Sequence, residues 1–217
     1  MIMKFLQKVP AGLMLVPLLI GAVIHTLFPQ ALEIGGLTTA AFSNAGAATC
    51  MGLQLFCLGT TLQLKDMPAV LKRGGTLLLS KFLIGAILGI VVGKVFGQAG
   101  FWGLTALSIV AGVTNSNGSL YLSLVKTYGD EADAATVALL ALNDGPFFTL
   151  LALGASGMAS IPMMSLVAVI VPMVLGMIIG NVDKSMMEFF APMADILIPF
   201  VGLTLGAGIN LKDVVKG

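Results

Sequence analysis

The sequence predicts an all-α polytopic membrane protein with about seven transmembrane helices, and three observations carry that. Its 217 residues are 58% hydrophobic and only 10% charged. Its mean hydropathy is +1.04. Its apolar residues run in stretches close to the ~20 that one helix needs to cross a hydrocarbon core of ~30 Å, and none alternates as a barrel strand must. Eleven basic and ten acidic residues are too few to clothe a soluble surface. That excludes a soluble enzyme and a disordered chain. A formal net charge of +1 leaves no basic stripe for nucleic acid.

The apolar windows fall at 10–28, 42–63, 75–96, 101–125, 134–158, 162–181 and 194–211. The first follows Lys4 and Lys8 as a signal peptide would. Its apolar stretch is too long for one, and no small-x-small cleavage site follows in HTLFPQALE, so it is read as a retained helix. Its outer end carries His25, the single histidine, read as interfacial. The second window holds Cys50 and Cys57, about two helical turns apart and beyond disulfide reach, read as small apolar fillers. Asn44 and Gln54 in it are minor candidates to line a cavity. In the third, Lys81 and Lys94 are expected to snorkel toward opposite interfaces. Asp195 is expected to open the seventh helix, complementing its dipole. With no metal-ligand motif and one histidine, a structural zinc site is out of reach, and no cofactor is expected.

A cytoplasmic N-terminus puts Lys4, Lys8, Lys65, Lys72, Arg73, Lys81, Lys126 and Lys184 inside, and Lys94, Lys212 and Lys216 outside. Eight against three obeys the positive-inside rule.

Two passages repeat in order. VPLLIGAVI from Val16 matches VPMVLGMII from Val171, an offset of 155. LGTTLQLKD from Leu58 matches LGAGINLKD from Leu205, an offset of 147. A repeat unit of five helices returns to the membrane from the opposite side, so the copies are inverted. That plan belongs to alternating-access transporters. The expected division is 1–158 for the first copy and 159–217 for the first two helices of the second. The second copy is incomplete on this reading. The expectation is a truncated, split or degenerate transporter, completed by a homodimer or by a separate C-terminal half.

The fourth window is interrupted by Thr114-Asn115-Ser116-Asn117-Gly118-Ser119, six poor helix formers near its centre. Backbone can unwind there only where protein or a cavity satisfies it. The second half-helix, beginning near Ser119 and Tyr121, would offer free N–H groups to an anion. The carbonyls ending the first half suit a cation. Asn115 and Asn117 can serve either. The fifth window carries Asn143-Asp144-Gly145-Pro146. An acid inside a membrane helix is a functional candidate by default. Asp144 can exchange a proton or ligate sodium, and both remain open here. Gly154-Ala155-Ser156-Gly157 is similar to the nucleophile motif of rhomboid proteases, but no histidine base follows it, and small-residue helix packing explains it.

These passages together resemble one transporter family. VPAGLMLVPLLIGAVIHTLFP, LFCLGTTLQLKD, VTNSNGSLYLSLVKTYGDEADA, LNDGPFFTLLALGASGMAS and FFAPMADILIPFVGLTLGAGINL are similar, in order and over nearly the whole chain, to the 2-keto-3-deoxygluconate permease family. The resemblance implies an inner-membrane symporter that takes up this sugar acid, a pectin breakdown product, with protons. It implies kinship with bile acid/sodium symporters and sodium/proton antiporters, whose ten helices form two inverted halves with two crossing broken helices. It puts Asn115, Asn117 and Gly118 in the family's break, with one residue inserted or shifted, Tyr121 just after it, and Asp144 at its acid. The expected substrate residues are therefore Asn115, Asn117, Gly118, Ser119 and Tyr121. The expected ion-coupling residues are Asp144, Asn143 and Thr114. The second broken helix of that plan is expected beyond these seven windows.

Overall fold

The computed structural model describes residues 2–6, 8–9, 12–97, 100–116 and 163–216, with Tyr121, Val125, Tyr128, Gly129, Asp130, Asp133, Thr136, Leu139 and Leu140 between them. Among these the chain is helical, with one isolated bridge at Phe101 and Leu104. The helices are α1 (Ile2–Leu6), α2 (Gly12–Leu27), α3 (Gly36–Phe42), a 3-10 turn (Asn44–Gly46) and α4 (Ala47–Thr60). Then follow α5 (Met67–Phe96), α6 (Ala106–Thr114), α7 (Met163–Val182), α8 (Lys184–Gly206) and α9 (Leu211–Lys216). Among the described residues, helices α5 and α8 are long and apolar enough to cross a membrane, and α3 with α4, bent by 68° between them, passes the same test only if the pair is taken as one span.

Three boundaries differ from the hydropathy windows, each for a local polar reason. The second span starts at Gly36 and breaks at Ser43. The Ser43 hydroxyl donates to the Thr39 carbonyl at 2.8 Å and accepts from the Ala45 N–H at 3.2 Å, closing one helix and opening the next. The sixth and seventh spans meet at a single residue, Asp183, whose Oδ1 accepts from the Ser185 N–H at 2.8 Å and from its hydroxyl at 2.7 Å. This N-cap starts α8 at Lys184, well before the window at 194. Those bonds hold the Asp183 carboxyl below its ordinary pKa. Asp195 is therefore not a helix-start acid. It is exposed and lies in the middle of α8. The fourth span starts at Ala106, capped by Thr105 Oγ1 accepting from the Ser108 N–H at 3.2 Å. Cys50 and Cys57 are buried and unbridged, as their spacing requires.

The chain divides into two compact units, 1–57 with 188–217, and 58–187. In the first unit α2 lies against α8 at glycine contacts. A Cβ on Gly206 would collide with the Leu18 carbonyl, and one on Gly202 with the Met14 carbonyl. Beyond the end of α8, the Leu211 N–H donates to Thr26 Oγ1 at 2.9 Å, and that hydroxyl donates to Ala22 O at 2.6 Å. Gln54 reaches the Ala194 carbonyl at 3.2 Å, and Phe56 meets Phe190 edge-on at 5.1 Å.

In the second unit α7 lies against the C-terminal end of α4 in the same way. A Cβ on Gly59 would collide with the Met173 carbonyl. Beyond the end of α4, the Leu64 N–H donates to Asn181 Oδ1 at 2.8 Å. Asn181 Nδ2 donates to Leu62 O and to Met177 O, both at 2.7 Å. The participants correspond through the two sequence offsets. Gly59 and Gly206, like Leu64 and Leu211, are 147 residues apart. Leu18 and Met173, Ala22 and Met177, and Thr26 and Asn181 are 155 apart. Each unit thus makes the same contact, with a hydroxyl in one and an amide in the other closing the chain past the helix end. The second unit's core is Leu62, Val70, Leu78, Leu139, Leu140 and Met173, with Tyr121 and Met177 packed on it.

Gly59→Ala or Gly206→Ala forces a methyl group onto a backbone carbonyl, so each lowers stability by about 1–3 kcal/mol. Gly52→Ala, in α4 with open space at its Cβ, raises it by about 0.5–1 kcal/mol. Thermal unfolding in detergent micelles reads both. Asn181→Leu leaves the Leu64 N–H and Leu62 carbonyl without their side-chain partner and costs about 1–3 kcal/mol, whereas Asn181→Gln recovers part of the loss.

Candidate transport site

The site is built on α5 and α6. Along α5, Val70, Gly74, Leu78, Gly85 and Gly89 are buried, spaced by four or seven residues and so on one face, while Leu79, Leu83, Ile87 and Val91 are exposed on the other. The buried stripe lets neighbours approach. A Cβ on Gly74 would sit 2.6 Å from Thr136 Cγ2, and one on Gly85 2.6 Å from Thr114 Cγ2. Lys81 falls on this stripe, three residues past Leu78 and four before Gly85.

Helix α6 ends at Thr114 because Asn115 takes an extended conformation, φ −68° and ψ 153°. Its side-chain Oδ1 accepts the Ser116 N–H at 2.9 Å, a local bond that competes with helix continuation. The Asn115 N–H still reaches back to Ala111 O at 3.2 Å. Thr114 is buried, and its hydroxyl donates to Val110 O at 2.8 Å. The Lys81 ammonium closes the break. It donates to the Asn115 carbonyl and, at 3.0 Å, to Ser116 Oγ. Snorkelling toward an interface is therefore not what Lys81 does. A carbonyl turned out of a helix one packing distance away is the nearer acceptor.

Of the expected substrate residues, Asn115 sits at this break. Tyr121 packs on the buried cluster, with its hydroxyl donating to the Asp133 carbonyl at 3.2 Å. Asn117, Gly118 and Ser119 lie outside the described residues, as do Asn143 and Asp144. Thr114, expected to couple ions, faces α5 at Gly85. Asn44 lies at the Ser43 break beside Gly208, and His25 lines a shallow concavity with Glu33, Ser43 and Ala207.

Two polar arrangements were missed in the sequence. Lys81 is one; its signal is its register with Gly74, Leu78 and Gly85. The other is the pair Asp130 and Asp133. The Asp133 N–H donates to Asp130 Oδ1 at 2.9 Å, and the Asp130 N–H to Asp133 Oδ2 at 3.2 Å, the reciprocal pattern of a capping box. Arg73 Nη1 bridges both carboxylates, at 2.5 and 2.8 Å. The D-x-x-D spacing was the readable signal.

Comparison with known proteins bears directly on this break-bearing helical chain. Residues 3–217 match the profile of KdgT, 2-keto-3-deoxygluconate permease. The chain belongs to the 2-keto-3-deoxygluconate permease family. It is 51% identical over 216 residues to 2-keto-3-deoxygluconate permease 1 of Salmonella typhimurium, covering 100% of this chain and 68% of that protein. It is 37% identical over 217 residues to the permease of Xanthomonas oryzae pv. oryzae, covering 96% and 67%. It is 35% identical over 217 residues to that of Bacillus subtilis, covering 97% and 65%. The chain thus spans about two thirds of the length of these permeases. No solved structure matches it. Family membership and the apolar helices make it a membrane protein of a transporter family rather than an enzyme.

Tyr121→Phe removes the hydroxyl that ties the chain after the break to Asp133. Thermal unfolding is expected to report a loss of about 0.5–1.5 kcal/mol, with helicity by circular dichroism unchanged.

Proposed function

We propose that this chain takes up 2-keto-3-deoxygluconate with protons across the inner (plasma) membrane, as a secondary active transporter working by alternating access. The observation that carries the reading is the helix break at Asn115, set between apolar helices in a chain whose relatives are named for that substrate. Unwound backbone among apolar helices is where transporters of this general plan hold their cargo. The sugar acid's hydroxyls are read onto Asn115 and Asn117. Its carboxylate is read onto the half-helix N-terminus at Gly118 and Ser119, with Tyr121 alongside. Asp144, with Asn143 and Thr114, is read as the coupling group that carries the proton.

The inverted repeat supports the same reading. The matched Gly59–Met173 and Gly206–Leu18 contacts, and the matched closures at Asn181 and Thr26, are what two copies of one five-helix plan produce when each lends its first helix to the other's second. With the N-terminus in the cytoplasm, the copies enter the membrane from opposite faces, and the equivalence gives two energetically similar states, open to either side. A homodimer is part of this proposal.

The test is uptake of labelled 2-keto-3-deoxygluconate into vesicles holding this chain, with and without an inward proton gradient, in sodium and in choline. Accumulation driven by the proton gradient in both salts is the expected result. Accumulation that follows sodium and ignores pH overturns proton coupling. Absence of uptake by folded protein overturns transport by this chain alone. Asp144→Asn is expected to abolish gradient-driven accumulation and spare substrate exchange. Equal loss of both removes Asp144 from a purely coupling role.

A further inference from the structure

We infer that Arg73 is a positioning residue of the transport site: acting through Asp130 and Asp133, it holds Tyr121, just past the helix break, in place against α5. This rests on the transport reading above, in which Tyr121 lies alongside the substrate, and adds to it a residue outside that set.

Placement is the first argument. Helix α5 touches the broken span at two levels. Lys81 meets the break itself, at Asn115 and Ser116. Arg73 lies about 12 Å away along the α5 axis. There its Nη1 stands 2.5 Å from Asp130 Oδ1 and 2.8 Å from Asp133 Oδ1. The residue after it, Gly74, sits against Thr136. Val70 and Leu78, one turn to either side of Gly74, join Leu139 and Leu140 in the buried cluster on which Tyr121 packs. The chain past the break is thus seated on α5 by an apolar core, with Arg73 at its edge.

The route from Arg73 to Tyr121 is the second argument. Each of the two acids accepts the other's backbone N–H, at 2.9 and 3.2 Å, so the carboxylates are drawn close together. Like charges at that range repel, and Arg73 bridges them. The main-chain carbonyl of Asp133 accepts the Tyr121 hydroxyl at 3.2 Å. Tyr121 is therefore tied to α5 in two steps, hydroxyl to carbonyl and carboxylate to guanidinium. Without the guanidinium the carboxylates separate, and the acceptor that holds the tyrosine shifts with Asp133. The three side chains are 44%, 57% and 30% exposed. Water screens such a bridge, so it adds little to global stability. Its effect falls on geometry, and small displacements of groups that orient a substrate are costly.

Equilibrium binding of labelled 2-keto-3-deoxygluconate to the purified full chain in micelles tests this, as a double-mutant cycle on Arg73 and Tyr121. Arg73→Gln is expected to weaken binding about five- to tenfold. Tyr121→Phe cuts the same tie at its other end and weakens binding to a similar extent. The double variant then binds within about twofold of the weaker single variant, because the tie can be lost only once. Arg73→Lys stays within about threefold of the unaltered chain, since one nitrogen bridges both carboxylates and an ammonium can take its place. Circular dichroism and elution volume establish that each variant is folded. Asp133→Asn, which loosens the tie and keeps Arg73, replaces Arg73→Gln should that variant unfold. Unchanged binding in folded Arg73→Gln overturns the assignment and leaves Arg73 a structural brace. So do losses that multiply in the double variant, which separate Arg73 from Tyr121, and a loss in Arg73→Lys equal to that in Arg73→Gln. No binding by the unaltered chain defeats the transport reading and this assignment together, whereas binding that Arg73→Gln leaves intact defeats the assignment alone.

Discussion

Polar backbone groups that leave a helix inside hydrocarbon or at its edge need partners, which inside hydrocarbon only the protein can supply, and the structure is organised around the places where such groups are taken up. At Ser43 the hydroxyl serves both sides of the bend. Past α4 the Asn181 amide takes up the Leu62 carbonyl and the Leu64 N–H. Past α8 the Thr26 hydroxyl takes up the Leu211 N–H. At Asn115 the Lys81 ammonium takes up the carbonyl that α6 releases. Each break is paired with a polar side chain placed to close it, and at Asn181, Thr26 and Lys81 that side chain comes from a neighbouring helix.

Such closures require the helices to lie close together, and glycine makes this possible. Gly59, Gly180, Gly202 and Gly206 each bring one backbone against the carbonyl of another. Between apolar helices in lipid, tight van der Waals contact and interhelical hydrogen bonds take over the part that the hydrophobic effect plays in water. The Gly74 and Gly85 contacts do the same on α5, and Lys81 between them is thereby held within reach of the break. Packing and chemistry share one helix face, so a change that loosens α5 against α6 moves the ammonium as well.

Some of this could be read along the chain. The Thr114–Ser119 run announced an interruption because its residues favour local bonds over helix, and the Asn115 side chain makes one such bond to the Ser116 N–H. The repeated LGxx-LKD strings single out Gly59, Gly206, Leu64 and Leu211. The Ser43 bend was not legible, since a serine inside an apolar run is compatible with a straight helix. Asp183 is not legible as a cap from hydropathy windows, which register apolar content and ignore which side chain can accept the first free N–H.

What the sequence by itself determined is the class of the protein: charge scarcity and apolar run length leave only a helical membrane chain, and the ordered motifs assign its family. Only the tertiary structure decided which polar group answers which break. Lys81 and Asn115 are 34 residues apart, and Thr26 and Leu211 are 185 apart. Nothing in local propensity distinguishes a lysine that runs to an interface from one that turns onto a carbonyl. That choice is made by the helix packed beside it, through the acceptor it exposes and the glycines that bring it within hydrogen-bond range.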